Sequence, residues 1–174
     1  VYRNLINSEG PSEEAKNTCK GECLAWKAMA YFYLVRAFGE VPIVHDNAAE
    51  ISGGTYNDKY KVKREDVYEY IVMTLEEAMK LLPRENKKGR LDYYCAEALL
   101  SKVYLTKAGL NQSVQRNQAD LDKAAEYAGD VIENCGRNLL PVYSDIFRLV
   151  NNDNEEALYS WKWSAGRDPW TQQN

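Results

Sequence analysis

One stretch of this chain, from Gly21 to Pro42, constrains its fold more than any other part. It reads GECLAWKAMAYFYLVRAFGEVP, an aromatic-rich helix that a glycine and a proline then end. Its apolar residues form two stripes at helical spacing: Leu24, Ala28, Tyr31, Val35 and Phe38, and Trp26, Met29, Tyr33 and Ala37. A helix that is apolar nearly all round must be covered on several sides. The sequence therefore predicts an interior helix enclosed by neighbouring helices.

Apolar residues recur at spacings of three and four in three further segments. These segments are 64–82, 92–108 and 120–135, and they are followed by Pro83, Gly109 and Gly136, which end helices. After Gly136 the period changes. The new spacing of apolar residues predicts one short helix over 143–149 and a short extended segment over 156–163, where tyrosine and tryptophan alternate with polar residues.

The predicted helices form pairs. Segments 92–108 and 120–135 resemble a tetratricopeptide unit with a widened turn, and their alanines permit close approach. The aromatic helix and segment 64–82 form a second pair with a longer connection. Because one pair cannot bury its own faces, we predict a mostly α fold of stacked antiparallel helix hairpins with long loops. The antiparallel pairing also predicts that Cys95 and Cys135 lie close together.

The charge pattern argues against several classes of protein. The formal net charge is −4, and the nearest approach to a basic patch, Lys87-Lys88-Gly89-Arg90, falls in a connector that we interpret as solvated. A general nucleic-acid binder needs a basic face that displaces counterions, so we predict no nucleic-acid partner.

Catalytic and cofactor motifs are also missing from the sequence. His45 is the one histidine of the chain, which excludes a two-histidine metal motif, and there is no Gly-x-Ser-x-Gly elbow, Gly-x-Gly-x-x-Gly fingerprint or P-loop. We therefore predict no catalytic residues, no metal ligands and no cofactor, and interpret the protein as a non-enzyme. The carboxylate pair of a glycosidase cannot be located from the sequence alone.

The order of several short motifs resembles the SusD/RagB family of outer-membrane nutrient-binding lipoproteins. The resemblance covers most of residues 2–163. In chain order, the motifs are Tyr2-x-x-x-Ile6-Asn7, Gly21-Glu22, Leu34 to Pro42, Val67-Tyr68, Leu75 to Ala78, Leu81-Leu82-Pro83, Gly89-Arg90, Ala96, Ala98 to Leu105, Ala124, Ala128 and Glu155-Glu156.

The resemblance implies a location, partners and an activity. Proteins of this family sit on the bacterial cell surface, held to the outer membrane by an N-terminal lipid. They cover a TonB-dependent transporter of the SusC type and bind oligosaccharides or other nutrients without catalysis. We expect residues 1–174 to be a single helical SusD-like domain of a longer natural chain, which would carry the lipid anchor and a larger C-terminal part.

Candidate ligand contacts come from the loops, because helix aromatics are predicted to be core. A flat aromatic ring complements the apolar C–H face of a sugar. Tyr56 and Tyr60 lie in the long loop with Asn57 and Asp46 as polar neighbours, and Trp170 lies in the terminal segment. For each aromatic the alternative is an ordinary loop side chain. For the whole protein, the alternatives are a tetratricopeptide-type adaptor that binds a peptide or partner protein, and a helical glycosidase.

Overall fold

The fold is mostly helical, as predicted. The computed structural model describes residues 4–5, 7–112, 114–152 and 154–160. The elements run in the order α1 (Glu13–Phe38), α2 (Asn47–Ser52), α3 (Arg64–Leu81), α4 (Tyr93–Lys107) and α5 (Gln118–Asn134), then the 3₁₀ helices Tyr143–Phe147 and Leu149–Asn151. Residues 1–135 and 136–174 form two compact units, and α1 to α5 belong to the first.

Local capping fixes where the long helices begin and end. The side chain of Ser12 accepts a hydrogen bond from the N–H of Ala15 at the start of α1. Asp92 and Asn117 cap α4 and α5 in the same way. Each cap satisfies a backbone donor that a helix start leaves without an intrahelical partner. At the other end of α1, Gly39 adopts φ 75° and its N–H donates to the carbonyl of Val35.

The helices of the first unit pack in chain order, with α3 on α1, α4 on α3 and α5 on α4. The α4–α5 pair is antiparallel: Lys107, at the end of α4, pairs with Asp120, near the start of α5, at 2.8 Å, and the Ser101 hydroxyl, further back in α4, donates to the carbonyl of Ala124, further along α5, at 2.8 Å. The predicted stacking of hairpins is thus confirmed. The largest fully buried side chains are Ile71, Leu75, Leu100, Val35, Val67 and Val103.

The antiparallel pairing places Cys95, near the start of α4, and Cys135, just after α5, at the same end of the hairpin. All four cysteines lie among the described residues, and none of them forms a disulfide. A short separation between Cys95 and Cys135 stays a prediction.

Helix α1 is covered on one side only, which corrects the prediction of an enclosed helix. Tyr31, Phe32 and Val35 are buried, but Phe38 is 72% exposed and Tyr33 is 57% exposed. Among the described helices, α3 is the one that packs along α1, while α4 makes only a small contact with it. The stripe containing Phe38 was predicted to be core; its last residue instead faces solvent, because no described helix covers that side of the last turn of α1.

The second unit is described in part. The predicted short helix over 143–149 is a 3₁₀ helix at Tyr143–Phe147. Of the predicted extended segment over 156–163, residues 156–160 consist of turns, bends and irregular backbone. Trp161 and Trp163, the tryptophans of that segment, lie outside the described residues, as do Tyr2 and Ile6.

Gly21 shows how closely α1 approaches the end of α3. A Cβ at Gly21 would lie 2.8 Å from Cγ of Leu82 and 3.2 Å from the carbonyl oxygen of Ala78. By contrast, a Cβ at Gly129 in α5 would meet nothing within 4 Å. The two glycines therefore make a matched pair, one closely packed and one open.

We expect Gly21→Ala to lower the free energy of unfolding by about 1–3 kcal/mol, because overpacking outweighs the gain in helix propensity. Gly129→Ala is expected to raise it by about 0.5–1 kcal/mol, because alanine reduces the conformational entropy of the unfolded chain. Urea denaturation of both variants measures these changes. Stabilisation by both substitutions would contradict the close contact at Gly21.

Candidate functional site

The long connection between α1 and α3 is closed at its base. Val41 and Val62 form an antiparallel bridge, in which the N–H of Val62 donates to the carbonyl of Val41 at 3.1 Å. Val41 is buried. Residues 42–61, which we call the 42–61 loop, thus leave the helical layer and return to it at one point.

Aromatic side chains of α1 and α3 hold the first part of this loop. The hydroxyl of Tyr31 accepts a hydrogen bond from the N–H of Val44 at 2.8 Å. His45 packs edge-on against Tyr70 with 5.7 Å between ring centroids, and Tyr70 packs edge-on against Tyr31 at 5.3 Å. His45 thus makes a packing contact at the start of the loop.

Asp46 has a structural function that the sequence reasoning missed. Its Oδ1 accepts a hydrogen bond from the N–H of Ala49 at 3.0 Å and so caps α2. The Glu50 carboxylate forms a salt bridge with Lys59 at 2.9 Å across the loop. The backbone carbonyl of Glu50 accepts a hydrogen bond from the N–H of Thr55 at 3.0 Å. These contacts give the loop a defined shape, with Asp46 at the start of its short helix.

The remaining candidates on the loop face solvent. Tyr56 is 55% exposed and Tyr60 is 87% exposed, and Asn57 between them is exposed as well. Large aromatic side chains that face water on an ordered loop are available for contact with a ligand. Trp170, the fifth candidate, lies outside the described residues. The 42–61 loop therefore carries two exposed aromatic rings and an amide within residues 56–60.

The structure also brings together two carboxyl groups that the sequence analysis did not pair. Glu97 on α4 is only 2% exposed, and the hydroxyl of Tyr93 donates to its Oε1 at 3.3 Å. Burial, together with a hydrogen bond to the Asp130 carboxyl, raises the pKa of Glu97 to about 7. Asp130 in turn lies 3.6 Å from the guanidinium of Arg84. The sequence could have indicated that Glu97 is buried, because it lies three residues before Leu100 and therefore on the same face of the helix.

The Glu97 carboxyl group is buried between α4 and α5 and is not part of an open cleft. A buried carboxyl group that keeps its proton can donate to a neighbouring carboxylate, and the pair then carries a single charge. Because Glu97 is almost fully covered, a sugar cannot reach its carboxyl group. A proton held by Glu97 beside the Asp130 carboxylate would link α4 to α5.

The raised pKa of Glu97 predicts a pH-dependent stability. The folded state holds this proton more tightly than the unfolded chain, so its contribution is fully present below about pH 4.5 and is lost as the pH rises through about 7. We expect the loss to be on the order of 1–2 kcal/mol, allowing for solvent screening.

Glu97→Gln should flatten the dependence of unfolding free energy on pH between 5 and 8, because glutamine keeps a donor without titrating. Urea denaturation across this range measures the effect. Glu133→Gln, at an exposed acid on α5, is the control and should keep the wild-type profile. An unchanged profile in Glu97→Gln would exclude a proton held by Glu97.

The described residues contain neither a cluster of metal-ligating side chains nor a membrane-spanning helix. No group of three or more His, Cys, Asp or Glu side chains in that part of the chain is arranged to hold a metal ion. None of its helices combines the length and the apolar character that a membrane span requires.

Comparison with protein families gives one match over more than half of the chain. A SusD-like family model, described as starch-binding and associating with the outer membrane, matches residues 3–105. A SusD-like protein of Bacteroides ovatus is 36% identical over 152 residues, which are 87% of this chain and 27% of that protein. SusD-like protein P2 of Formosa agariphila is 32% identical, over 88% of this chain and 28% of that protein. The chain thus spans about a quarter of the length of these curated relatives.

Solved structures agree with the helical fold. One, determined with xylogluco-oligosaccharide, is 32% identical with a TM-score of 0.82 and covers 94% of this chain and 32% of that one. A laminarin-binding SusD-like protein is 25% identical with a TM-score of 0.75, over 91% of this chain and 33% of that one.

Proposed function

This chain belongs to the SusD-like family, and on that premise we propose that it binds an oligosaccharide at the cell surface and passes it to a TonB-dependent outer-membrane transporter. The observation that carries the proposal is the 36% identity over 87% of the chain to a SusD-like protein. Two similar solved structures support a saccharide ligand, because one was determined with xylogluco-oligosaccharide and the other is described as laminarin-binding. The proposed activity is binding without catalysis.

The 42–61 loop supplies the proposed ligand contacts. Tyr56 and Tyr60 would lie against sugar rings, and the Asn57 amide would hydrogen-bond to hydroxyl groups. Ligand sites typically combine aromatic surface with a few placed polar groups. The bridge at the base of the loop and the contacts of Tyr31 and Tyr70 with it hold the loop in place, which lowers the entropy cost of binding. Asp46 and Trp170 complete the proposed set.

The partner and the location follow from the family. We propose a SusC-type transporter as the protein partner and a lipid anchor as the attachment to the outer membrane, with the binding loop on the outer surface. The description of the matched family, starch-binding and associated with the outer membrane, supports the location. We also propose that residues 1–174 form one helical domain of this larger assembly.

One observation favours the alternative of an adaptor that binds a partner protein. The end of α1 presents Tyr33, Leu34 and Phe38 to solvent, with Phe38 72% exposed, and exposed apolar surface of this kind often marks a protein interface. A chain that binds no oligosaccharide, but associates with a partner protein through Phe38, would support the adaptor instead.

The loop tyrosines give the direct test of saccharide binding. We expect Tyr56→Ala and Tyr60→Ala each to weaken binding of xylogluco- or laminari-oligosaccharides about tenfold, because each removes an aromatic contact worth more than about 1 kcal/mol. Isothermal titration calorimetry measures the dissociation constants. Both side chains are exposed, so the free energy of unfolding should change little.

Tyr143→Ala is the matched control, because Tyr143 is 74% exposed and belongs to the second compact unit. It should leave affinity unchanged. Wild-type affinity in the Tyr56 and Tyr60 variants would remove the 42–61 loop from the binding site. A chain that binds none of the oligosaccharides would contradict the proposed function itself.

A further inference from the structure

A cleft also lies at the end of the α1–α3 pair from which the 42–61 loop extends. This cleft of about 590 Å³ opens where the end of α1, the start of α3 and the end of α4 meet, and its volume falls within the range of small-molecule sites. Its apolar lining is provided by Val35, Leu105, Leu110 and Leu121. Arg36, Arg64 and Arg116 also line it. We call this site the arginine cleft.

Arg64 is held in place by a hydrogen bond. Its Nη2 donates to Oδ1 of Asn111 at 2.9 Å. Asn111 adopts φ 56°, a left-handed conformation that asparagine tolerates better than most residues. The other atom of its side-chain amide, Nδ2, donates to Oε1 of Glu65. Asn111 thus ties the α4–α5 connection to the first turn of α3.

Arg116 depends on the absence of a side chain at Gly109. A Cβ at Gly109 would collide with Nη1 of Arg116. The guanidinium therefore lies directly over the backbone at the end of α4, a position that only glycine leaves open. From the sequence, Gly109 was predicted only to end a helix.

The three arginines of the cleft form no direct ion pair with a carboxylate of the described residues, although the charge of Arg64 acts on the nearby Glu65 carboxylate. Glu65, the acid nearest Arg64 in sequence, is engaged by Asn111. Burial raises the pKa of Tyr68, and the charges of Arg36 and Arg64 act in the opposite direction. The Arg36 guanidinium lies over the ring of Phe32, 5.1 Å from its centroid.

We propose that the arginine cleft binds an acidic saccharide, with its carboxylate paired to Arg64 and Arg116 and its sugar ring against the apolar lining. A guanidinium group offers parallel N–H donors that match the two oxygens of a carboxylate. The choice of a saccharide over another carboxylate rests on the proposed function, whereas the choice of an anion rests on the cleft alone. This site is separate from the tyrosines of the 42–61 loop.

Titration of the whole chain with trigalacturonate, followed by calorimetry and by ¹⁵N NMR of the arginine Nε–H groups, tests the proposal. We expect binding that weakens at least tenfold in Arg64→Gln and in Arg116→Gln, together with shifts of the arginine signals. Lys87→Gln removes an exposed cation in the α3–α4 connection, outside both proposed sites, and should leave the affinity unchanged. Maltotriose, a neutral sugar of equal length, should leave the arginine signals unmoved.

Gly109→Ala offers a second test that keeps every charge. A methyl group there displaces the Arg116 guanidinium, so trigalacturonate affinity should fall three- to tenfold while the fold persists, because a flexible side-chain end can move aside. Gly129→Ala, which meets open space, is the matched control and should keep wild-type affinity.

Three outcomes would overturn the proposal. The first is that trigalacturonate does not bind to the chain. The second is that it binds, but the arginine substitutions do not change its affinity. The cleft could also bind N-acetyl-leucine, a carboxylate without a sugar, in an arginine-dependent way while ignoring trigalacturonate. In each case, binding of neutral oligosaccharides that depends on Tyr56 and Tyr60 would leave the proposed function standing, so the two proposals fail separately.

Discussion

The contact of Gly21 and Glu22 with the α3–α4 connection sets the position of α1. Gly21 lets the Leu82 side chain approach the α1 backbone. The Glu22 carboxylate accepts from Nε of Arg90 at 2.7 Å and from the N–H of Leu91 at 3.1 Å. Leu91 is buried, so losing Glu22 would leave a backbone donor without its partner, at a cost of about 1–3 kcal/mol. Hydrogen bonding to Glu22 also raises the pKa of Arg90 and keeps its charge in place.

Much of the fold was predictable because its signals are local. Ser12 and Gly39 mark the ends of α1 through hydrogen bonds within a few residues of each, so the sequence alone locates them. Phe38 was misplaced because spacing shows which side chains share a stripe but not how many neighbours cover it. Arg90, interpreted as part of a solvated connector, instead reaches a carboxylate on α1. That contact depends on how two distant segments pack.

The same distinction applies to the two sites. Tyr56 and Tyr60 could be named in advance because a long loop between helices exposes its side chains, whatever the packing beneath it. The arginine cleft could not be named, because Arg36, Arg64 and Arg116 come together only after α1, α3 and α4 have packed.

The two proposed sites are built on opposite sides of the same helix. Tyr68 and Tyr70 are two positions apart on α3, so their side chains point about 200° apart around its axis. Tyr70 contacts Tyr31 and His45 beneath the 42–61 loop, whereas Tyr68 contacts Phe32 and lines the arginine cleft. The packed contact between α1 and α3 thus supports both sites, while the residues that would touch ligand lie on separate parts of the surface. Substitutions at either site can therefore alter one binding property and leave the shared core, and with it the other site, intact.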